Sequence, residues 1–433
     1  MNPFLETLLD TPLDDTYRGI PPGEPAIALR AVATRGWQPR KGDMALPVLT
    51  LDEAAFAHNV DQIFQYARSH GAALAPHAKT PMSPQIVQRL LDAGAWGATV
   101  ANLQQAAVLL RAGVSRLMLG NEIGGLASGT RLGKLLAAYP DARLLAFADS
   151  AHTVRSLAAA AVEAGRPVEV LVEVGGGRAG ARDDAAVDAI LGAIREQGDK
   201  LALAGVATYE GAVASSDAAL TASNIAALME RAARVFKQVR ALAPRAPLVF
   251  TAGGSAFFDQ VTQAAQPWLA ADGNALLVLR SGAIFFHDHG TYQRALQAMD
   301  ARSGFQVDGL ARAAATGFRP ALRLWGEVLS RPEPGLAICG FGMRDVSYDQ
   351  DLPVALAAYR EGTALSGWDA QTRVTRLNDQ HAFLAIAPDS ELAPGDVIEF
   401  GISHPCTCLD RWRVFFGLDA DGRVQSAYRT FFG

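Results

Sequence analysis

Cysteine is scarce in this chain of 433 residues, because only Cys339, Cys406 and Cys408 occur. So few cysteines exclude a disulfide framework, and a reducing compartment would keep them as thiols. The first basic residue is Arg18, and four acidic residues precede it, which is the wrong charge for the start of a secretory signal. No apolar run is long enough to cross a bilayer. These absences predict a cytoplasmic protein without a membrane partner.

The chain has little excess of either sign of charge, because its formal net charge is −5 and 19% of its residues are charged. A protein with a small net negative charge does not attract a polyanion, so we expect no nucleic-acid partner. Hydrophobic residues make up 50% of the chain, enough for a large core. The length exceeds the size at which one core usually stops growing. We therefore expect one large domain and a smaller one.

One pattern repeats from about residue 70 to residue 290: a short apolar run rich in β-formers, a turn residue and an amphipathic helix. Eight strands alternating with helices predict a closed (β/α)8 barrel of the TIM type. An open doubly wound sheet stays an alternative, because periodicity cannot show closure. The predicted strands are Ala73–Pro76, Gly97–Val100, Arg116–Leu119, Arg143–Ala148, Val168–Val174, Leu203–Thr208, Leu248–Thr251 and Ala275–Leu279.

The pattern differs at both ends of the chain. Val48–Leu51 reads as a ninth strand, which we expect to belong outside the barrel. After about residue 315, alternating strands with hairpin turns predict an antiparallel β domain. We expect a barrel over 46–310, a C-terminal β domain over 311–433, and an N-terminal segment over 1–45 that packs on the β domain or at a dimer interface.

Lys79 follows the first predicted strand, at the end of the barrel where such folds keep their active sites. A lysine there can form a Schiff base with an aldehyde cofactor, although one lysine alone would read as a surface residue. The loops after strands seven and eight lie where barrels often hold a phosphate, through backbone N–H groups and hydroxyls. Together these features predict an aldehyde cofactor that bears a phosphate, bound by Gly253, Gly254, Ser255, Ser281 and Gly282.

Two further side chains follow strands five and six. Arg178, in the loop GGGRAG, could reach the ring of a bound cofactor as a permanent donor, or it could be a solvent-exposed arginine. Tyr209 is expected at the same mouth, where it could stack on the cofactor, donate a hydrogen bond or act as an acid or base.

Six segments, PHAKT, GGGRAG, TYEG, TAGGS, LRSGAIFFHDHG and SHPCTCLDRW, together resemble the D-serine dehydratase and D-threonine aldolase family. That family belongs to the alanine-racemase-like class of pyridoxal-phosphate enzymes, known as fold type III, and the resemblance runs from about residue 45 to the C-terminus. It implies a barrel that carries the cofactor and a head-to-tail homodimer in which the second domain completes the partner's site. By this resemblance Lys79 is the Schiff-base lysine, Arg178 reaches the cofactor's 3'-oxygen, and the two Gly-Ser loops hold the phosphate.

His404 and Cys406 form the candidate metal site. They are two residues apart, so in an extended strand both side chains would lie on one face, and imidazole with thiolate suits zinc. Without the resemblance, the pair would read as a half-buried histidine beside an inert cysteine. Cys408 and Asp410 remain alternative ligands, and another divalent metal remains possible.

Three other histidines have open roles. His287 and His289 flank Asp288 just after the second phosphate loop, and we prefer a substrate-lining or hydrogen-bonding role for them. His381 stands in the segment NDQHA, where relatives carry an acidic pair before the histidine, so its role stays undefined.

The predicted reaction is α,β-elimination from a small β-hydroxy D-amino acid such as D-serine, which gives a keto acid and ammonia. Lys79 would remove the α-proton, the cofactor would act as electron sink, and zinc would activate the hydroxyl. A metal-dependent D-threonine aldolase is the nearest alternative. An amino-acid racemase with Lys79 and Tyr209 as opposed bases is another. A non-catalytic pyridoxal-phosphate carrier is disfavoured, because such single-barrel proteins lack a C-terminal β domain.

Overall fold

The computed structural model describes residues 2–366, 368 and 371–432 of the chain. Within them, a parallel barrel occupies the middle of the sequence and a β domain joins its C-terminal part to one strand that precedes the barrel.

The barrel contains the eight predicted strands in sequence order around its circumference. The last strand pairs in parallel with the first through Val278 and Ala73. A parallel bridge between His77 and Thr99 joins the first strand to the second, which closes the ring. The predicted (β/α)8 barrel is thus confirmed, and an open sheet is excluded. Its strands are Ala73–Leu74, Ala98–Val100, Arg116–Leu119, Arg143–Ala148, Val168–Val174, Leu201–Thr208, Leu248–Ala252 and Ala275–Leu279.

Alternation along the strands separates the two layers of the barrel core. Leu171 belongs to a cluster of strand residues that fills the interior, together with residues such as Met118 and Phe147. Its neighbours Val170 and Val172 belong instead to the main core, which packs against the helices. Successive strand side chains point to opposite faces, so this division follows from the sequence itself.

Helices surround the barrel, and several begin at polar caps. Asp52 accepts the backbone N–H of Ala55 at 2.9 Å, which starts the first barrel helix. Pro84 begins the next helix, as predicted, although Ser83 makes no side-chain cap bond. No helix in the described part of the chain is long and apolar enough to span a membrane. The barrel helices are Glu53–Ser69, Pro84–Asp92, Leu103–Arg111, Leu126–Ala138, Ala151–Ala164, Asp184–Glu196, Ala218–Leu242, Phe258–Asp272 and Thr291–Ala301.

The second domain is a ten-stranded sheet that is antiparallel apart from one parallel pair. The ninth predicted strand, observed at Val48–Asp52, pairs with Leu322–Glu333 and with Val414–Leu418, so it lies in this sheet and outside the barrel. Turn residues and alternating burial match the predicted hairpin pattern. The remaining strands are Leu336–Cys339, Val354–Arg360, Thr363–Ala364, Arg373–Leu377, Ala382–Ala385, Val397–Gly401 and Val424–Arg429.

The N-terminal segment packs against the β domain. Leu13, Val32 and Trp37 lie in one apolar cluster with Trp325 and Phe416 of the sheet. Short elements complete the chain: helices Pro3–Leu9, Ala314–Gly317 and Pro405–Leu409, the strand pairs Pro12–Leu13 with Ile27–Ala28 and Gln306–Val307 with Leu310–Ala311, and 3-10 turns at Leu29–Arg35, Pro39–Lys41, Gly198–Lys200, Glu210–Val213 and Ala283–Phe285.

Backbone hydrogen bonds fix the β domain against the mouth of the barrel. The N–H of His289, after the last barrel strand, donates to Ile402 O at 2.9 Å. The N–H of Thr291 donates to Ser403 O at 3.0 Å. The segment that begins at Ser403 is therefore held beside the carboxyl ends of the barrel strands.

Candidate active site

Lys79 lies in the loop after the first barrel strand, with an exposed side chain. His77, two residues earlier, faces the same mouth. Burial lowers the pKa of the His77 imidazole well below its usual value, and the positive charges of Lys79, Arg280 and Arg178 lower it further. His77 is therefore neutral at physiological pH. The sequence did not single it out as a residue of the site.

Arg178 and Tyr209 meet at this mouth. The Arg178 guanidinium lies 4.9 Å from the centre of the Tyr209 ring. The loop that carries Arg178 is braced by Arg231, whose guanidinium donates to Gly175 O and to Arg182 O. Burial and the neighbouring Glu210 carboxylate raise the pKa of Tyr209, so its hydroxyl keeps its proton. The two predicted side chains thus lie together on the same side of the mouth.

The two predicted phosphate loops also touch each other. The Ser281 hydroxyl donates to Gly253 O at 3.0 Å. Gly253 has φ +84°, a conformation that favours glycine. A Cβ on Gly282 would lie 2.6 Å from His77 O, so glycine is needed where this loop meets the Lys79 loop. All five predicted residues therefore belong to one region next to the first strand.

Glu210 occupies an unforeseen position in these loops. Its buried carboxylate accepts the N–H of Gly253 at 3.0 Å and the N–H of Gly254 at 2.6 Å. Two of the amides that the sequence assigned to a phosphate are thus already hydrogen-bonded to protein. Glu210 directly follows Tyr209, but nothing in the spacing could show that its side chain turns back toward the seventh strand.

Tyr292 links the phosphate loops to the β domain. It lies near Ser255, whose hydroxyl oxygen accepts the N–H of Ile284 at 3.2 Å. The Tyr292 ring lies 6.4 Å from the His404 ring, in an edge-on arrangement. Burial, with the nearby Cys406 and Tyr209, raises the pKa of Tyr292 well above its usual value.

The structure brings His404 and Cys406 together, but the predicted extended strand is wrong. His404 is the last extended residue, and Cys406 lies in the first turn of the helix Pro405–Leu409. Pro405 occupies the first helical position, where its fixed φ and missing N–H favour a helix start. The two side chains still lie near each other, because the turn brings Cys406 back toward the imidazole, and Cys406 favours the charged form of that imidazole.

Asp349 orients the histidine of this pair. Its carboxylate lies 2.7 Å from His404 Nδ1 and accepts the Thr407 hydroxyl. Burial of His404 opposes its charged form, but Cys406 and Asp349 outweigh that effect and raise the pKa of His404 to about 9. Because Nδ1 faces Asp349, Nε2 is the nitrogen that could bind a metal, as in the usual carboxylate–histidine arrangement.

The pair lies directly beside the lysine loop. Thr80, the residue after Lys79, places its Oγ1 at 3.2 Å from Cys406 Sγ. Cys406 also acts electrostatically on both Tyr209 and Tyr292. The predicted metal pair and the predicted cofactor lysine therefore share one site, at the contact between the barrel and the β domain.

The alternative metal ligands, Cys408 and Asp410, are less available to a metal than His404 and Cys406. Cys408 is fully buried, which raises its thiol pKa to about 12, and Asp410 is hydrogen-bonded to Arg411 at 2.9 Å. Among the described residues, no set of three or more His, Cys, Asp or Glu side chains is arranged around a metal position. His404 and Cys406 could therefore supply two donors to a metal whose other positions are open to other ligands.

The remaining histidines divide between the domain contact and the surface. His287 is fully buried, and its Nε2 lies 3.0 Å from Gln293 Oε1. Asp288, buried beside it, accepts the N–H groups of Gly290 and Tyr292 and so positions the Tyr292 helix start. Burial lowers the pKa of His289 to about 3. His381 is exposed in the turn between Arg373–Leu377 and Ala382–Ala385.

Arg280 and Glu173 form a polar floor that the sequence reasoning also missed. Arg280 donates to Thr251 Oγ1 at 2.9 Å and to Thr208 O at 2.8 Å. Glu173 points into the barrel from the fifth strand and is only 3% exposed. Glu173 is one of two glutamates in the strand Val168–Val174, and its inward-facing position was the available signal, because buried charged residues are rare and often mark functional sites.

Known proteins share both domains. The alanine racemase N-terminal domain family matches residues 51–269, and a serine dehydratase domain family matches residues 321–418. A D-threonine aldolase from Arthrobacter sp is 29% identical over 90% of this chain and 91% of that protein. The crystal structure of a D-threonine aldolase from Filomicrobium marinum superposes with a TM-score of 0.68 at 25% identity, covering 90% of this chain and 95% of that one. D-threo-3-hydroxyaspartate dehydratase from Delftia sp. HT23 shares the fold, with a TM-score of 0.67 at 21% identity over 90% and 98% of the two chains.

Proposed function

The chain belongs to the D-serine dehydratase and D-threonine aldolase family of alanine-racemase-like pyridoxal-phosphate enzymes, and we propose that it is a zinc-dependent dehydratase of β-hydroxy D-amino acids. It is a pyridoxal-phosphate-dependent lyase. D-serine, which would give pyruvate and ammonia, is the first substrate to test.

The mouth of the barrel fits the cofactor. Lys79 offers an amine that forms no salt bridge with any described carboxylate. The glycine loops leave room where a Cβ would collide, and Arg178 and Tyr209 stand beside them. When bound, pyridoxal phosphate supplies an electron sink for charge that develops at the α-carbon. Lys79 would hold it covalently, and Ser255, Ser281 and Gly282 would contribute to the phosphate site.

The proposal depends chiefly on one contact, the 3.2 Å between Thr80 Oγ1 and Cys406 Sγ. The His404–Cys406 pair therefore lies next to Lys79, where it could reach the β-substituent of a bound substrate. His404 and Cys406 would hold zinc, which supplies Lewis acidity toward a hydroxyl oxygen when bound. A β-hydroxyl is the substituent that such a site would serve.

The protein's own groups would then move the protons. The Lys79 amine would take the α-proton, and its exposure at the mouth of the barrel supports this role. Tyr209 retains its proton, since burial and Glu210 raise its pKa, so it can donate a hydrogen bond to the cofactor or substrate. Loss of the hydroxyl gives an enamine, which hydrolyses to the keto acid and ammonia.

A retro-aldol reaction is the second candidate. The curated relative with 29% identity and the solved relative with 25% identity are both D-threonine aldolases. Elimination and retro-aldol cleavage use nearly the same groups. D-threonine distinguishes them, because an aldolase forms glycine and acetaldehyde whereas a dehydratase forms 2-oxobutanoate and ammonia. An amino-acid racemase, with Lys79 and Tyr209 as opposed bases, would need no metal.

Incubation of the purified enzyme with D-serine tests the proposal. We expect keto acid to form, to stop after chelation, and to return when zinc is added. His404→Ala should abolish it. His70→Ala is the matched control, since His70 precedes the first strand at the opposite end of the barrel. Full activity after exhaustive chelation would overturn the role of zinc, and glycine as the product from D-threonine would overturn the dehydratase assignment.

We also propose a head-to-tail homodimer in the cytoplasm. Tyr348 is 46% exposed and adjoins Asp349, whose carboxylate contacts His404, so apolar surface lies beside the metal pair. A second subunit would cover it. Analytical ultracentrifugation measures the mass directly, and a monomer at micromolar concentration would contradict this assembly.

A further inference from the structure

A salt bridge joins the N-terminal segment to the β domain. The Arg18 guanidinium lies 2.8 Å from Asp345 Oδ1 and donates to Arg344 O at 3.2 Å. It also stacks over Trp412, 5.1 Å from the centre of the ring. The Asp345 side chain is only 3% exposed. Arg18 lies outside the regions that the two matching families cover, and the reaction proposed above assigns it no role.

The residues on either side of Arg18 hold its backbone against the sheet. The Arg413 guanidinium lies 4.4 Å from the centre of the Tyr17 ring. Gly19 has φ +93°, and a Cβ at this position would lie 2.6 Å from the Phe416 ring, so glycine is needed for the close approach. Arg18 therefore reaches its salt-bridge partner from a fixed stretch of backbone.

Asp345 organises the loop in which it lies. Its Oδ2 accepts the N–H of Gly342 at 2.8 Å, and its backbone carbonyl accepts the indole N–H of Trp412 at 2.9 Å. Burial raises the pKa of the Asp345 carboxyl, and Arg18 is the charged group that opposes this effect most. Removal of Arg18 would therefore leave a buried carboxylate without its salt-bridge partner, a strongly unfavourable arrangement.

The same loop continues to the metal pair. Ser347 is fully buried, and its hydroxyl oxygen accepts the N–H of His404 at 3.2 Å. Asp349, four residues after Asp345, lies 2.7 Å from His404 Nδ1. One short loop therefore joins the salt bridge of the N-terminal segment to both groups that fix the histidine.

We propose that Arg18 is a positioning residue for the metal pair and acts through Asp345. It fixes the loop from which Ser347 and Asp349 orient His404. The N-terminal segment thus contributes to the site as well as to the packing of the β domain. The effect on a bound metal rests on the proposed function, whereas the effect on the loop does not.

The zinc affinity of the full-length protein, measured by competition with a chromogenic chelator, tests this role. Arg18→Ala should bind zinc roughly 10-fold more weakly than the wild type, at the low end of the range for groups that orient a metal ligand. Arg18→Lys should be intermediate, because lysine keeps the charge beside Asp345 but lacks the planar guanidinium. Arg30→Ala is the matched control, because Arg30 pairs with Glu6 and Asp10 inside the N-terminal segment. Equal affinities of Arg18→Ala and this control would overturn the proposal.

A double-variant cycle distinguishes an effect through the loop from a general loss of stability. Arg18→Ala and Asp349→Asn act on the same loop, so their combined loss of zinc affinity should be smaller than the product of the two separate losses. Fold-changes that multiply would mean that Arg18 acts independently of this loop, which would contradict the proposal.

Hydrogen exchange followed by mass spectrometry separates failure of this inference from failure of the proposed function. In the full-length protein without added metal, the amides of residues 342–349 should exchange faster in Arg18→Ala than in the wild type, while the barrel strands keep their protection. If the wild type binds no zinc, the proposed metal site is wrong, and the exchange of this loop alone decides the role of Arg18. Unchanged exchange in the loop would overturn that role.

Discussion

Removal of the Glu210 carboxylate should weaken both the fold and the cofactor site. The carboxylate accepts two buried backbone N–H groups, from Gly253 at 3.0 Å and from Gly254 at 2.6 Å. A buried donor left without an acceptor costs about 1–3 kcal/mol, so Glu210→Ala should lose about 2–6 kcal/mol of unfolding free energy. Glu210→Gln keeps one acceptor oxygen and should lose about half as much. The loop next to Ser255 should also become less ordered.

Urea unfolding and titration with pyridoxal phosphate measure these two effects. We expect lower unfolding midpoints in the order wild type, Glu210→Gln, Glu210→Ala, with cofactor affinity falling in the same order. Glu230→Gln is the control, because Glu230 is exposed on Ala218–Leu242 and should stay within about 0.5 kcal/mol of wild type. If Glu210→Ala matched the control in both measurements, the carboxylate would not be what holds this loop.

Three further predictions follow from buried charge, metal orientation and close packing. The folded-state pKa of Glu173 is raised to about 9, so the stability contributed by its protonated form is complete below about pH 4.5 and is lost as the pH rises toward 9. The unfolding free energy of Glu173→Gln should therefore rise relative to that of the wild type by up to about 1.4 kcal/mol per pH unit in that window. Unfolding at several pH values measures this difference, and a difference that does not change with pH would contradict the prediction. Asp349→Asn should weaken zinc binding about 10–100-fold while the cofactor spectrum stays unchanged, and equal metal content after dialysis would count against the orienting role. Gly282→Ala should lower the affinity for the cofactor, because its Cβ would lie 2.6 Å from His77 O. Gly192→Ala is the control: its Cβ would have no atom within 4 Å, so thermal unfolding should show a helix that is more stable by about 1 kcal/mol.

The barrel could be predicted because each strand carries its own local signal. Val168–Val174 and Arg143–Ala148 are segments rich in β-formers or apolar residues, and their limits match the predicted ones. Leu248–Ala252 and Ala275–Leu279 were found in the same way. Closure was predicted only from the number of strands, because the bridge between His77 and Thr99 joins residues whose pairing leaves no periodic trace.

The site was only partly predictable, because its contacts connect distant parts of the chain. Lys79, Arg178 and Tyr209 follow barrel strands, so their common location at the mouth could be inferred from strand order. The Thr80–Cys406 contact spans 326 positions and could not be inferred from spacing.

Local structure misled the prediction at the metal pair and at the glycine loop. The two-residue spacing of His404 and Cys406 suggested a strand, but Pro405 starts a helix between them. The glycines of TAGGS suggested free amides, whereas Glu210 accepts two of them. In both cases a neighbouring side chain or backbone constraint outweighed the simple pattern.

The central claim is that Lys79 binds pyridoxal phosphate covalently, and borohydride reduction followed by peptide mass spectrometry tests it most directly. The other lysines of the chain are Lys41, Lys134, Lys200 and Lys237, so the modified peptide can be assigned without ambiguity. We expect the phosphopyridoxyl group on the peptide that contains Lys79, and its loss in Lys79→Ala. A reduced adduct on another lysine, or none in protein supplemented with cofactor, would contradict the account.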